Sequence, residues 1–219
     1  MTTESPLNKI AVKGADHEAI AKQMIATNTD IALLLDGMSE KPARLKFGCE
    51  KVLMILSATN PEKVFPFFDR IVEFLECENK ILKWGAIQII ANLAPADKNG
   101  RFAPIFARYY SAITGSDMVA AANVIAGSAK IARAHPAMAG RIAREILKVE
   151  KANYKTPECR NVAIGHAIAA FEEFFDLIKN KKPVIGFVRR QTQNSRKKVA
   201  LRAEQFLKRF DATINSSMQ

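Results

Sequence analysis

Between Pro61 and Asp97 apolar side chains recur every three or four residues, twice over, with polar side chains filling the positions between them. In the first half Val64, Phe67, Phe68, Ile71, Phe74 and Leu75 share one side of a helix, and Lys63, Asp69, Arg70, Glu73 and Glu76 take the other. The second half repeats the pattern with Leu82, Ala86, Ile89, Ile90 and Leu93. The boundaries carry their own signals. Asn60 is placed to cap the first helix, Pro61 sits where a missing N–H does no harm, and Glu62 faces the positive end of the helix dipole. Glu78-Asn79 offers a polar turn, and Pro95 pushes the residue before it out of the helical region. The stretch predicts two antiparallel amphipathic helices.

The rest of the chain reads as imperfect copies of this unit. Leu45, Leu82, Val119, Cys159 and Val199 are separated by 37, 37, 40 and 40 residues. Four positions on stand Cys49, Ala86, Asn123, Ala163 and Ala203, all small or short, as helices that approach closely require. Eleven positions on, Leu56, Leu93, Ala170 and Phe210 are apolar while Lys130 is not, so the third copy fits least well and admits a one-residue slip. The first helices repeat too: Val64-Phe65-Pro66-Phe67-Phe68 is echoed by Phe102-Ala103-Pro104-Ile105-Phe106, each proline kinking or starting its helix.

Helix pairs at a period near 40 residues, with an apolar-x-Pro-x-apolar first helix and Leu82-Lys83-Trp84-Gly85-Ala86 in the second, resemble HEAT or armadillo repeats. The resemblance covers about Asp30 to Phe210. It implies an all-α fold, a right-handed α-α superhelix of about five HEAT-like pairs behind an irregular N-terminal cap. A non-repetitive helical bundle is the alternative. The expected organisation is an N-terminal arm and capping helix over 1–29, a repeat domain over 30–215 and a disordered tail over 216–219. Asp16, Asp117 or Ser116, Thr156 and Ser195 are the expected caps of later helices, and Gly115 the expected left-handed terminator.

Composition narrows the function. Hydrophobic residues make up 48% of the chain, too many for disorder, yet no window approaches eighteen uncharged apolar residues, so a soluble cytoplasmic protein is expected. Cys49, Cys77 and Cys159 lack CxxC spacing and read as apolar filler. His17, His135 and His166 are scattered among repeats without metal-ligand spacing; His166 shares the second helix of the fourth pair with Arg160 and Asn161, where a partner would lie. No phosphate-binding loop, dinucleotide fingerprint or nucleophile elbow occurs. No catalytic, cofactor-binding or metal-binding residue is assigned, and no cofactor or small-molecule substrate is expected.

The charge is uneven. The net +11 includes eleven Lys and Arg between residues 179 and 219, against Glu204 and Asp211 alone, whereas residues 1–178 are nearly neutral. Arg189, Arg190, Arg196, Lys197, Lys198 and Arg202 form a patch dense enough to attract an acidic protein surface or nucleic acid, or else serve as a solvated end cap. Lys46, Lys83 and Arg160 share one repeat position and join them as candidate partner-binding residues. The leading expectation is a non-enzymatic scaffold binding a macromolecular partner through its concave face and basic C-terminal repeat. The alternative is a nucleic-acid-binding protein. More distantly the chain resembles the HEAT-like alkyl-base DNA glycosylases, which are basic and of similar length. Their aromatic cluster and catalytic Asp are missing, since Trp84 is the lone tryptophan and the middle second helices contain no Asp.

Overall fold

The computed structural model describes residues 5–211, and all regular structure among them is helical. The expected disordered tail lies outside the described residues. The chain divides between Arg101 and Phe102 into two compact units.

The first unit holds α1 (Pro6–Ala11), α2 (His17–Ala26), α3 (Ala32–Met38), α4 (Ala43–Thr59), α5 (Pro61–Val64), α6 (Phe68–Glu73) and α7 (Lys80–Leu93). α4 packs against α1, α2 and α3 on one side and α7 on the other, with Cys49, Leu53 and Leu56 buried. Pro66 lacks the N–H that would continue a helix, and the first helix of the unit is broken there into α5, a tight 3-10 turn over Phe65–Phe67, and α6. Asn79 starts α7, its side chain accepting from Ile81 and Leu82 N–H at 3.1 and 3.3 Å. The close approach of α4 and α7 needs Ala86, fully buried, and Gly85, where a Cβ would stand 2.1 Å from Glu50 Oε1.

The second unit holds α8 (Phe102–Tyr110), α9 (Met118–Ala134), α10 (Ala139–Leu147), α11 (Pro157–Phe174), α12 (Lys182–Gln191) and α13 (Lys197–Arg209). Pro104 is accommodated in the first turn of α8. α11 is the centre, packed between α9 and α13. Three aromatic clusters fill the unit: Phe102, Phe106, Tyr109 and Tyr110 of α8; Phe171, Phe174 and Phe187; and Phe175, Phe206 and Phe210 at the last pair. Tyr110 donates to Ser128 Oγ at 3.1 Å, which in turn donates to the Val124 carbonyl, so the buried hydroxyls satisfy one another. Tyr154 reaches back 41 residues to the Ile113 carbonyl.

Several local expectations change. Asn60 does not cap α5; its carboxamide oxygen accepts instead from the Thr59 hydroxyl at 3.0 Å. Ser195 does not cap α13, because its hydroxyl accepts from Asn161 Nδ2 while Asn194 Oδ1 takes the Arg196 N–H, leaving Arg196 at the cap position. Gly115 is extended, with φ −72°, since a 3-10 turn over Ser111–Thr114 ends the first helix without a left-handed residue. The slip in the third copy is real: Val119 is 38% exposed, and Ala120, Val124 and Ile131 are buried in its place. Counted between cap positions Pro42, Asn79, Asp117, Thr156 and Arg196, the intervals are 37, 38, 39 and 40 residues. The Asp16, Asp117 and Thr156 caps are as expected.

Candidate partner-binding surface

Along α11 the residues Val162, Gly165 and His166 fall on one side of the helix, and Val199, Leu201 and Arg202 of α13 face them across a groove of about 410 Å³. Gly165 sets its depth, because a Cβ there would meet Val199 Cγ2 at 3.2 Å, tighter than packed side chains normally come. The walls are apolar, and Leu201 is left 55% exposed. Arg196, Lys198 and Arg202 stand around the rim. His166 lies among them with its pKa lowered, by burial first and by the Arg202 charge second, so near neutral pH it is held as uncharged imidazole.

The rim cations differ in what already holds them. Arg196 pairs with Glu158 of α11, and Arg202 lies 3.8 Å from Glu172. Burial raises the pKa of Glu172 and the Arg202 charge opposes that rise, a carboxylate half drawn into the helix packing. Lys198 makes no ion pair among the described residues. Nor does Lys197, which is exposed on α13 outside the groove lining.

Arg189 and Arg190 belong to α12 and do not line this groove. Arg190 clamps Glu150 with two parallel hydrogen bonds of 2.9 and 2.8 Å, and Gln191 donates to the same carboxylate at 3.0 Å. Gln191 Oε1 accepts from Asn194, whose amide also reaches Asn161. Part of the basic patch is thus structural: three of its arginines tie the last helix pair to acidic groups of the pair before it.

Lys46, Lys83 and Arg160 occupy one structural position, each donating its backbone N–H to the residue at the helix cap four places earlier, Pro42, Asn79 and Thr156. In the other two second helices that position holds Ala121 and Ala200. Lys46 and Lys83 lie in the first unit and Arg160 in the second, all half-exposed. The geometry therefore gathers Arg196, Lys198 and Arg202 into one groove and leaves the other six candidates elsewhere. Leu201 and Gly165 were missed as site residues. The available signal was Leu201 itself, an aliphatic residue two places after the buried Val199 and so on the outer side of an otherwise charged helix.

Among the described residues no group of three or more His, Cys, Asp or Glu is placed to hold a metal ion, and no helix is long and apolar enough to cross a membrane. No protein-family model matches the chain, and no curated protein matches its sequence. Among the solved structures it resembles are two designed or engineered molecules. A designed armadillo repeat protein superposes with a TM-score of 0.52 at 14% identity, over 92% of this chain and 89% of that one. An engineered protein solved by a structural genomics consortium gives a TM-score of 0.52 at 12% identity, over 96% and 93%.

Proposed function

From an all-α fold of the armadillo repeat type, an architecture that commonly mediates binding, we propose that the chain is a binding scaffold. In this reading its second-helix face and basic C-terminal repeat hold an acidic segment of a partner protein. The observation that carries the proposal is the groove between α11 and α13, in which cations rim an apolar floor. An acidic peptide with an aliphatic side chain matches both features: its carboxylates meet Lys198 and Arg202, and its aliphatic group covers Leu201. A phosphate backbone matches only the rim and leaves Leu201 uncovered. A cytoplasmic location belongs to the same reading. Nucleic-acid binding, with or without descent from a glycosylase-like ancestor, is the competing outcome.

The test is a titration of wild type and of a Lys198→Glu/Leu201→Asp variant with an Asp- and Leu-containing peptide, duplex DNA and single-stranded RNA at two salt concentrations. Peptide binding that the variant loses is the expected result. Tighter binding of DNA, with affinity falling steeply with salt, by a log–log slope of about −0.9 per phosphate contact, establishes the nucleic-acid reading instead. Weak, salt-insensitive binding of all three probes by both proteins overturns both.

A further inference from the structure

A second groove, of about 380 Å³, opens on the first-helix side of the same unit, between α10 and the start of α12. It is lined by Arg141, Arg144 and Lys179, by Asn180, and by apolar groups that include Leu177 and Val184, with no acidic residue among them. Its charges are uncompensated, whereas two of the three beside α13, Arg196 and Arg202, face Glu158 and Glu172. Arg144 and Lys179 are exposed and make no ion pair among the described residues, and Arg141 is held by a ring, its guanidinium 3.7 Å from the Phe106 centroid. Stacking fixes the plane of that guanidinium and leaves its edge N–H groups free to donate. Asn180 spends its carboxamide oxygen on the Lys182 N–H at 3.3 Å, so what it presents to a ligand is its NH₂.

We propose that this groove binds a small phosphorylated molecule, its phosphate groups held by Arg141, Arg144, Lys179 and the Asn180 amide and its organic part resting on Leu177 and Val184. Two guanidiniums suit phosphate, whose oxygens they meet in pairs, and three cations without an internal acid suit a ligand carrying two or more negative charges. The site is independent of the binding reading above: it uses other residues, other helices and a different class of ligand.

Calorimetric titration of the full chain at low salt, with pyrophosphate and with adenosine diphosphate, tests it. Both ligands are expected to bind saturably, the nucleotide more tightly because it adds contact with the apolar wall. An Arg144→Gln/Lys179→Gln variant is expected to lose affinity for both at least tenfold while keeping its thermal midpoint, since both side chains are exposed. A Lys197→Gln/Lys198→Gln variant, which removes the same charge from α13, is expected to bind as wild type does. Absence of saturable binding of either ligand by wild type overturns the proposal. So does an equal loss in the α13 variant, which would mean that net charge and not this groove attracts the anion.

Discussion

Glu50 is 7% exposed on α4, pressed against the backbone of α7 at Gly85, and burial pushes its pKa up to about 7, with the Lys51 charge opposing the rise. Below the ordinary carboxyl value of 4.5 the group is protonated in folded and unfolded chain alike, and its burial carries no penalty of charge. As pH rises from there to about 7 the unfolded chain gives up its proton and the folded chain keeps it. Stability therefore falls across that window, by about 1–3 kcal/mol, and the loss is complete above it. Glu50→Gln removes the titration. Urea midpoints of variant and wild type are expected to agree near pH 4 and to separate by pH 8, with the variant the more stable. The partner position gives the converse test: Gly85→Ala places a methyl group against the Glu50 carboxyl, and is expected to destabilise the first unit in spite of alanine's better helix propensity.

At the scale of the helix pair, the second unit is held by apolar packing with polar ties from one pair to the next. Gly165→Leu forces α11 away from Val199 and fills the groove, and is expected to cost about 1–3 kcal/mol by denaturation and to abolish binding of the acidic peptide. The Arg190–Glu150 clamp is half in water, so a double-mutant cycle on Arg190→Ala and Glu150→Ala is expected to give a coupling of only about 0.5–1 kcal/mol. The period, the pairing and most helix starts were legible in the sequence, because they rest on spacing and on caps such as Asp117 and Thr156 that act within three residues of themselves. What was not legible depends on contacts 30 to 40 residues away. Ser195 looks like a cap until Asn161 is brought to it, and Arg190, Arg196 and Arg202 look like free charge until Glu150, Glu158 and Glu172 are placed opposite. The third-copy slip was visible as a misfit at Lys130; its correction needed the burial of Ala120 and Ile131.

For the molecule as a whole, each of the two units has its own interior. The aromatic clusters built on Phe102 and Phe171 lie wholly within the second unit, so residues 102–219 expressed alone are expected to be helical and to unfold cooperatively, by circular dichroism and urea titration. A helical signal without a cooperative transition would show that this interior depends on the remainder of the chain.

A chain of near copies faces a hazard that irregular folds escape: during folding, or at high concentration, one copy can dock where its neighbour belongs, within a molecule or between two. The cap intervals of 37, 38, 39 and 40 residues work against the first of these, because a copy docked one place along its own chain meets a repeat of different length. The clamps reinforce the distinction. A last pair shifted by one repeat would bring Arg190 and Arg196 away from Glu150 and Glu158, and so would lose the very contacts that hold it in place. The irregular spacing works as a set of keys of different cut, opposing a shift of register along the chain.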